Sequence, residues 1–327
     1  MINRRNFIRG AAAVGIASAV GCAPSRPSTS EQLTVGLTYI PNVQFSAFYV
    51  GVAEGIFAKH GLDVKLRHHG QQEDLFGAIL RGEEDVVFAS ADEGVVAAAQ
   101  GNDLRTFATS YQRYPIEVVG DARAAGVDPS GGLEMLAGRS LGIPGHFGSS
   151  YYAALVAMHN AGLSEDEVQL TDIGFTTVAA IAGRKVDFAM AFSNNEVIQL
   201  EAQGIPLAVL PIQDPSAPSL VGPGLLTRGT TLGDDVLAAL AAAMKESEEA
   251  VIADPELALD ATAREVPALA DPAQKESAEK VLLATTELWA PNGEVSVAVD
   301  AAAMDRMATL LTDVGIIEAP PSDFYIA

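Results

Sequence analysis

A stretch in the first third of the chain is echoed further on, and the echo limits what the chain can fold into. Around Asp85 the sequence reads Gly82-Glu-Glu-Asp-Val-Val-Phe-Ala-Ser-Ala-Asp92-Glu93, and around Asp187 it reads Gly183-Arg-Lys-Val-Asp-Phe-Ala-Met-Ala-Phe-Ser-Asn194-Asn195-Glu196. Each copy is a short apolar run that breaks into polar residues. Gln100-Gly101 is answered by Gln203-Gly204, and Gly61-Leu62 by Gly162-Leu163. The pattern predicts two βαβ lobes of one design. Open α/β sheets bind ligands beyond the carboxyl ends of their strands, so paired lobes with polar strand ends imply a binding cleft between them.

With 327 residues, 49% of them hydrophobic, the chain can bury two cores of ordinary domain size. Lys and Arg number 20 against 42 Asp and Glu, a net charge of -22. That balance excludes a nucleic-acid role, which needs basic patches to neutralise phosphates. The N-terminus carries Arg4, Arg5 and Arg9, then an uncharged stretch over 10–20, then Gly21-Cys22. The apolar stretch is too short to cross roughly 30 Å of hydrocarbon as a permanent helix, and reads as an export leader over 1–21. Arg4-Arg5 with Phe7-Ile8 resembles a twin-arginine signal, and Ala19-Val20-Gly21-Cys22 resembles a bacterial lipobox with Cys22 as the lipidated residue. Ala19 departs from the usual leucine of that motif. As Cys22 is the only cysteine, no disulfide can form within the chain and a cysteine-rich metal site is excluded. A Pro/Ser-rich tether over 22–32 follows.

From residue 33 onward strands alternate with helices. Strands are expected at 33–38, 63–67, 85–89 and 105–110, with helices at 44–60, 73–80 and 93–100. An extended crossing over 111–120 leads to further strands at 140–143, 169–173, 187–191 and 206–210, with helices at 149–160, 178–182 and 196–203. A return crossing runs over 211–223, with a strand at 225–227. Four helices, at 234–252, 256–264, 272–289 and 297–314, complete the chain and are expected to pack on lobe one as scaffold. The class is therefore α/β, with two doubly wound sheets joined by a hinge. Lobe one takes 33–115 and 225–327, and lobe two takes 116–224.

No nucleotide fingerprint, phosphate loop or Gly-x-Ser-x-Gly elbow occurs. His68 and His69 are adjacent at a strand end and read as a solvated pair rather than a metal site. What remains is loops at strand ends. Tyr39-Ile-Pro-Asn42-Val-Gln44 answers Pro144-Gly-His146-Phe147-Gly-Ser149-Ser-Tyr151, and Ser90-Ala-Asp92 answers Ser193-Asn194-Asn195-Glu196. These loops feed helix N-termini, whose free N–H groups suit carbonyl oxygens and anions. The two amides and two carboxylates of the second pair of loops could read both edges of a polar heterocycle, or could only cap helices. The scarce aromatics gather here as Tyr39, Phe45, Tyr111, Tyr114, Phe147, Tyr151 and Phe175, with Phe45 and Phe175 expected in the core. A flat ring held between such faces gains roughly 1 kcal/mol per stack. Arg113 is the main basic residue at these loops, an argument against a small anion.

Tyr39-Ile-Pro-Asn-Val-Gln-Phe45, Gly51-Val-Ala-Glu-Gly-Ile-Phe57 with Gly61-Leu-Asp-Val64, Gly142-Ile-Pro-Gly-His-Phe-Gly148 and Gly174-Phe-Thr-Thr-Val-Ala-Ala180 resemble the thiamine-pyrimidine and riboflavin branch of ABC-importer substrate-binding proteins, over 33–227. The Pro-Asn-Val-Gln-Phe opening, the Pro-Gly-x-Phe-Gly turn and Asn194-Asn195-Glu196 look closest to its riboflavin-binding lipoproteins. The resemblance implies a type II periplasmic-binding fold and a ligand held by Asn42, Gln44, Asp92, Tyr111, Phe147, Ser149, Tyr151, Asn195 and Glu196. It implies a monomer without cofactor or metal, lipid-anchored outside the cytoplasmic membrane, delivering riboflavin or a related flat heterocycle to a permease and its ATPase. Pyrimidine-precursor binders carry a His where Asn195 stands, and the related pyrimidine synthase carries a run of cysteines absent here. A thiamine precursor or small sulfonate remains the alternative ligand. An enzyme using Glu196 and His146 as base and acid is the reading from another class.

Overall fold

The computed structural model describes residues 32–70, 73–214 and 217–327. The leader, Cys22 and nearly all of the expected tether lie outside the described residues. Strands β1 (Leu33–Leu37), β2 (Val64–His68), β3 (Val86–Ser90) and β4 (Leu104–Thr109) belong to one sheet. Strands β5 (Ile116–Asp121), β6 (Ser140–Ile143), β7 (Gln169–Asp172), β8 (Phe188–Phe192) and β9 (Leu207–Leu210) form another, and β10 (Pro223–Arg228) returns to the first. The orders are β2-β1-β3-β10-β4 and β7-β6-β8-β5-β9. The second sheet thus repeats the first, with β6 to β9 in the places of β1 to β4, as the echo predicts.

Each sheet receives its fifth strand from the other half of the chain. β10 runs antiparallel between β3 and β4, and β5 runs antiparallel between β8 and β9. All five residues of β3 are buried, as are all but Glu117 in β5, because both faces of these inner strands are covered. The two crossings meet at one point. Ser110 N–H and Tyr111 N–H both donate to the carbonyl oxygen of Pro223, at 3.0 and 3.1 Å.

Helices α1 (Ser46–Ala53) and α2 (Ile56–Lys59) replace the single helix expected over 44–60. Gly55 adopts φ +69 between them, a left-handed step that ends one helix and starts the next. Helix α3 (Gly77–Arg81) starts later than its expected 73. Helices α4 (Ala91–Ala99), α5 (Gly148–Asn160), α6 (Thr177–Ala182) and α7 (Glu196–Ala202) follow the sequence reading within a few residues. The C-terminal helices are α8 (Asp234–Ala253), α9 (Pro255–Glu265), α10 (Pro272–Trp289) and α11 (Ala301–Asp313). Asp254 and Asp271 cap α9 and α10 by accepting from backbone N–H groups, each followed by proline at the first helical position.

Leu240, Met244, Leu259 and Leu282 of this helical part are buried in the core that also holds Val35, Phe48 and Phe88, so α8 to α10 pack on the first sheet's side as expected. Two of the four helices do more. Helix α10 also touches α7, and α11 lies on both α4 and α5. Met304, Met307 and Leu311 of α11 share a second core with Val95 and Val96 of α4 and with Ala153 and Val156 of α5. Each such aliphatic side chain contributes about 1.5–3 kcal/mol on full burial. Apolar packing of α11 therefore joins a helix of the first sheet to one of the second.

Two glycines permit the crossings to approach. A Cβ at Gly224 would lie 2.2 Å from the carbonyl oxygen of Ala108, and one at Gly222 would lie 2.9 Å from Tyr111 Cβ and 3.0 Å from its carbonyl oxygen. Backbone atoms cannot yield as a side-chain tip can. Gly224→Ala is expected to destabilise by about 2–3 kcal/mol and Gly222→Ala by about 1 kcal/mol, read as denaturant midpoints with unchanged slopes.

Candidate functional site

The loops at the carboxyl ends of β3 and β6 meet at a pair of carboxyl groups, Asp92 buried and Glu93 half-buried. Glu93, in the first turn of α4, accepts the N–H of Ser90 at 3.0 Å through one oxygen and the N–H of Ser149 in α5 at 3.0 Å through the other. Ser90, three residues before Glu93, is the N-cap of α4. Asp92 is wholly buried, accepting the hydroxyl proton of Tyr114 at 2.7 Å and the Glu93 N–H at 2.7 Å. Burial raises the Asp92 carboxyl to about 6. Burial first, and the neighbouring Asp92 second, raise Glu93 further, to about 8. No cation compensates either acid in the contacts they make.

A second meeting point joins the loop after β8 to the β4–β5 crossing and to α10. Asn194, 1% exposed, donates from Nδ2 to Thr285 Oγ1 at 2.9 Å and to the Tyr111 hydroxyl at 3.4 Å. Tyr111 is buried, its ring centre 6.3 Å from that of Phe88. Next to it, Asn195 donates to Glu196 and accepts from Gln199, while Glu196 accepts the N–H of Phe192. Burial pushes the Glu196 carboxyl up, against the hydrogen bonds it accepts.

A third contact spans the loops after β1 and β7. Tyr39 and Phe175 meet edge to face with ring centres 5.5 Å apart. Phe175 is 41% exposed, so the expectation that it is a core residue is wrong; Phe45, at 6%, is core as expected. Phe147 is 58% exposed, and Tyr151 lies half-buried with its ring 5.2 Å from that of His146. Two large aromatic faces thus stand open at loops of the second sheet. Asn42 accepts the Gln44 N–H at 3.0 Å, forming the N-cap of a short 3-10 turn, and the structure shows no contact from either side chain to the Asp92–Glu93 centre.

His68 and His69 are not a solvated pair. His69 is buried against Glu84 at 2.9 Å, and His68 bonds the Tyr49 hydroxyl and the Tyr39 carbonyl, both at 2.9 Å. The strand alternation sends them to opposite faces, and each face offers an acceptor. Glu84 fits because Gly36 has no side chain; a Cβ there would lie 2.3 Å from its carboxylate.

Of the residues named from sequence, Asp92 and Ser149 are brought together through Glu93 and Tyr114, and Asn195 with Glu196. Glu93 and Thr285 are not singled out by the sequence, and Asn194 is read there only as one of the loop's two amides. The spacing of Ser90 to Glu93 signals a capping box, and nothing in that motif reveals that the second carboxyl oxygen reaches another helix. A hollow of about 670 Å³ lies elsewhere, between Val96–Gln100 at the far end of α4 and the segment 316–322.

The model of the family described as NMT1/THI5 like matches residues 42–258. The riboflavin-binding protein RibY of Chloroflexus aurantiacus is 36% identical over 190 residues, which is 58% of this chain and 53% of that protein. The chain therefore spans about half the length of that relative. Among solved structures, the aliphatic sulphonate binding protein SsuA of Escherichia coli superposes with a TM-score of 0.69 at 15% identity, over 90% of this chain and 91% of that one. The alkanesulfonate-binding SsuA of Xanthomonas axonopodis pv. citri gives 0.67 at 16% identity, over 90% and 98%. A Candida albicans protein described as having the generic periplasmic binding protein fold gives 0.64 at 13% identity, over 90% and 93%. These structures share the fold, and the family match runs from the first strand-end loop into the C-terminal helices. The chain belongs to the NMT1/THI5-like family.

Proposed function

We propose that this protein is the extracytoplasmic receptor of an ABC importer, closing over a flat, uncharged heterocycle and delivering it to a permease. Riboflavin is the first choice of ligand. The observation that carries the reading is the Glu93–Ser149 contact. The amide at the start of α5, which would serve an incoming anion, is already bonded to the protein's own carboxyl group. Beside it stands the buried acid Asp92, and the rings of Phe147 and Phe175 stand open at loops of the second sheet. With that amide already taken, such a site offers a sulfonate little and suits an aromatic ring with polar edges. The relative named for riboflavin supports the same choice. No bond is made or broken in this reading.

In operation, the segments 33–115 with 225–327 and 116–224 swing as two lobes about the paired crossings, and Glu93 leaves Ser149 when the cleft opens. Asn42, Gln44, Tyr151, Asn195 and Glu196 complete the ligand's surroundings. Arg4-Arg5 and Cys22 support export by the twin-arginine route and lipid anchoring, so that the receptor works as a monomer at the outer face of the membrane. Replacing Cys22 by Ala is then expected to move the protein from the membrane fraction to the soluble one.

Purified protein should quench riboflavin fluorescence and melt several degrees higher with micromolar riboflavin. Unquenched fluorescence with no shift removes the flavin claim; stabilisation by an aminopyrimidine or an alkanesulfonate instead would install the alternative. Phe147→Ala is expected to weaken riboflavin binding by about tenfold while leaving the melting temperature unchanged, because the ring is open to solvent.

The raised carboxyl groups give the unliganded protein a pH dependence. Unfolded, Glu93 titrates near the ordinary glutamate range; folded, it holds its proton up to about 8. Between those values the folded state binds more protons, so stability falls as pH rises. Melting temperature should therefore decline from pH 5 to pH 8.5, with a shallower decline in Glu93→Gln. An equal slope in the two proteins would show that Glu93 ionises normally.

A further inference from the structure

The side-chain oxygen of Asn194 has no hydrogen-bond partner although the residue is 1% exposed. A buried amide carbonyl left unbonded costs about 1–3 kcal/mol, and it stands at the carboxyl end of β8, where an open α/β sheet receives its ligand. Which end of the amide is free is fixed by chemistry. Thr285 spends its hydroxyl proton on the Val281 carbonyl at 2.7 Å, so its oxygen can only accept, and it accepts from Asn194 Nδ2 at 2.9 Å. The Tyr111 hydroxyl lies against the same nitrogen. The carbonyl oxygen is therefore the end left without a partner, and it cannot change places with the nitrogen without breaking these bonds.

Resting on the receptor reading above, we propose that Asn194 is a specificity-determining residue that accepts a hydrogen bond from an N–H of the ligand, with Thr285 of α10 as its positioning residue. The ligand class that follows is a ring bearing an imide, lactam or amino N–H. A simple alkanesulfonate, which offers only acceptor oxygens, would set acceptor against acceptor. A site built around such an oxygen rejects an analogue lacking the hydrogen, because the buried carbonyl then stays unpaired.

The test compares riboflavin, whose N3–H lies between two carbonyls, with its N3-methyl derivative, and adds methanesulfonate, all read by fluorescence or melting shift. Wild-type protein is expected to prefer riboflavin over the methylated ring by about tenfold or more. Asn194→Ala should bind the two rings alike, and Thr285→Val should compress the preference while still folding. The readout is a ratio between ligands, which a loss of overall stability does not move. Riboflavin binding with the preference intact in Asn194→Ala would overturn this proposal and leave the flavin receptor standing. Wild-type protein that binds methanesulfonate and ignores both rings would overturn this proposal and the flavin reading together.

Discussion

The two crossings between the sheets are tied to each other at the carbonyl oxygen of Pro223. It receives the N–H groups of Ser110 and Tyr111 just where the chain leaves the first sheet, and Pro223 itself is where the chain comes back. Everything else in the architecture follows from that exchange. Because β5 and β10 are traded between the sheets, the two sheets have the same mixed strand order. The absence of side chains at Gly222 and Gly224 lets the two crossings lie close enough to bond.

Charge is distributed in that region in an unusual way. Asp92 is buried and Glu93 half-buried, with no cation among the contacts described for them and their hydrogen bonds coming from a tyrosine hydroxyl and backbone amides. Such acids hold their protons more firmly than exposed ones, which makes a nearly neutral, donor-and-acceptor surface out of residues that count as negative in the sequence. The formal charge of the chain is thus a property of its outside. The surroundings of Asp92 and Glu93 follow different rules, set by burial.

Much of this was legible in the sequence. The echo around Asp85 and Asp187 announced the duplicated sheets, and Asp85 and Asp187 do play matching parts, accepting from the backbone N–H of Thr34 and Ser140 at the starts of β1 and β6. Helix limits near proline and glycine were close, since those residues act locally. The site was less legible. Thr285 sits in an alanine-rich amphipathic helix and resembles scaffold, because its role depends on α10 crossing to the loop after β8, a long-range contact without local signal. Phe175 looked like core because it is large and apolar. It lies instead in the exposed loop after β7, with the ring of Tyr39 against it.

The traded strands also set an order of assembly on a chain made from its N-terminus. The second sheet has all five of its strands once Leu210 has been synthesised, whereas the first sheet waits for β10, although four of its strands were made earlier. The half encoded in the middle can therefore finish first and serve as a template, with β3 and β4 held apart until Pro223–Arg228 slides between them. A protein threaded through a membrane in the unfolded state would repeat this sequence on the far side, without the pacing of the ribosome.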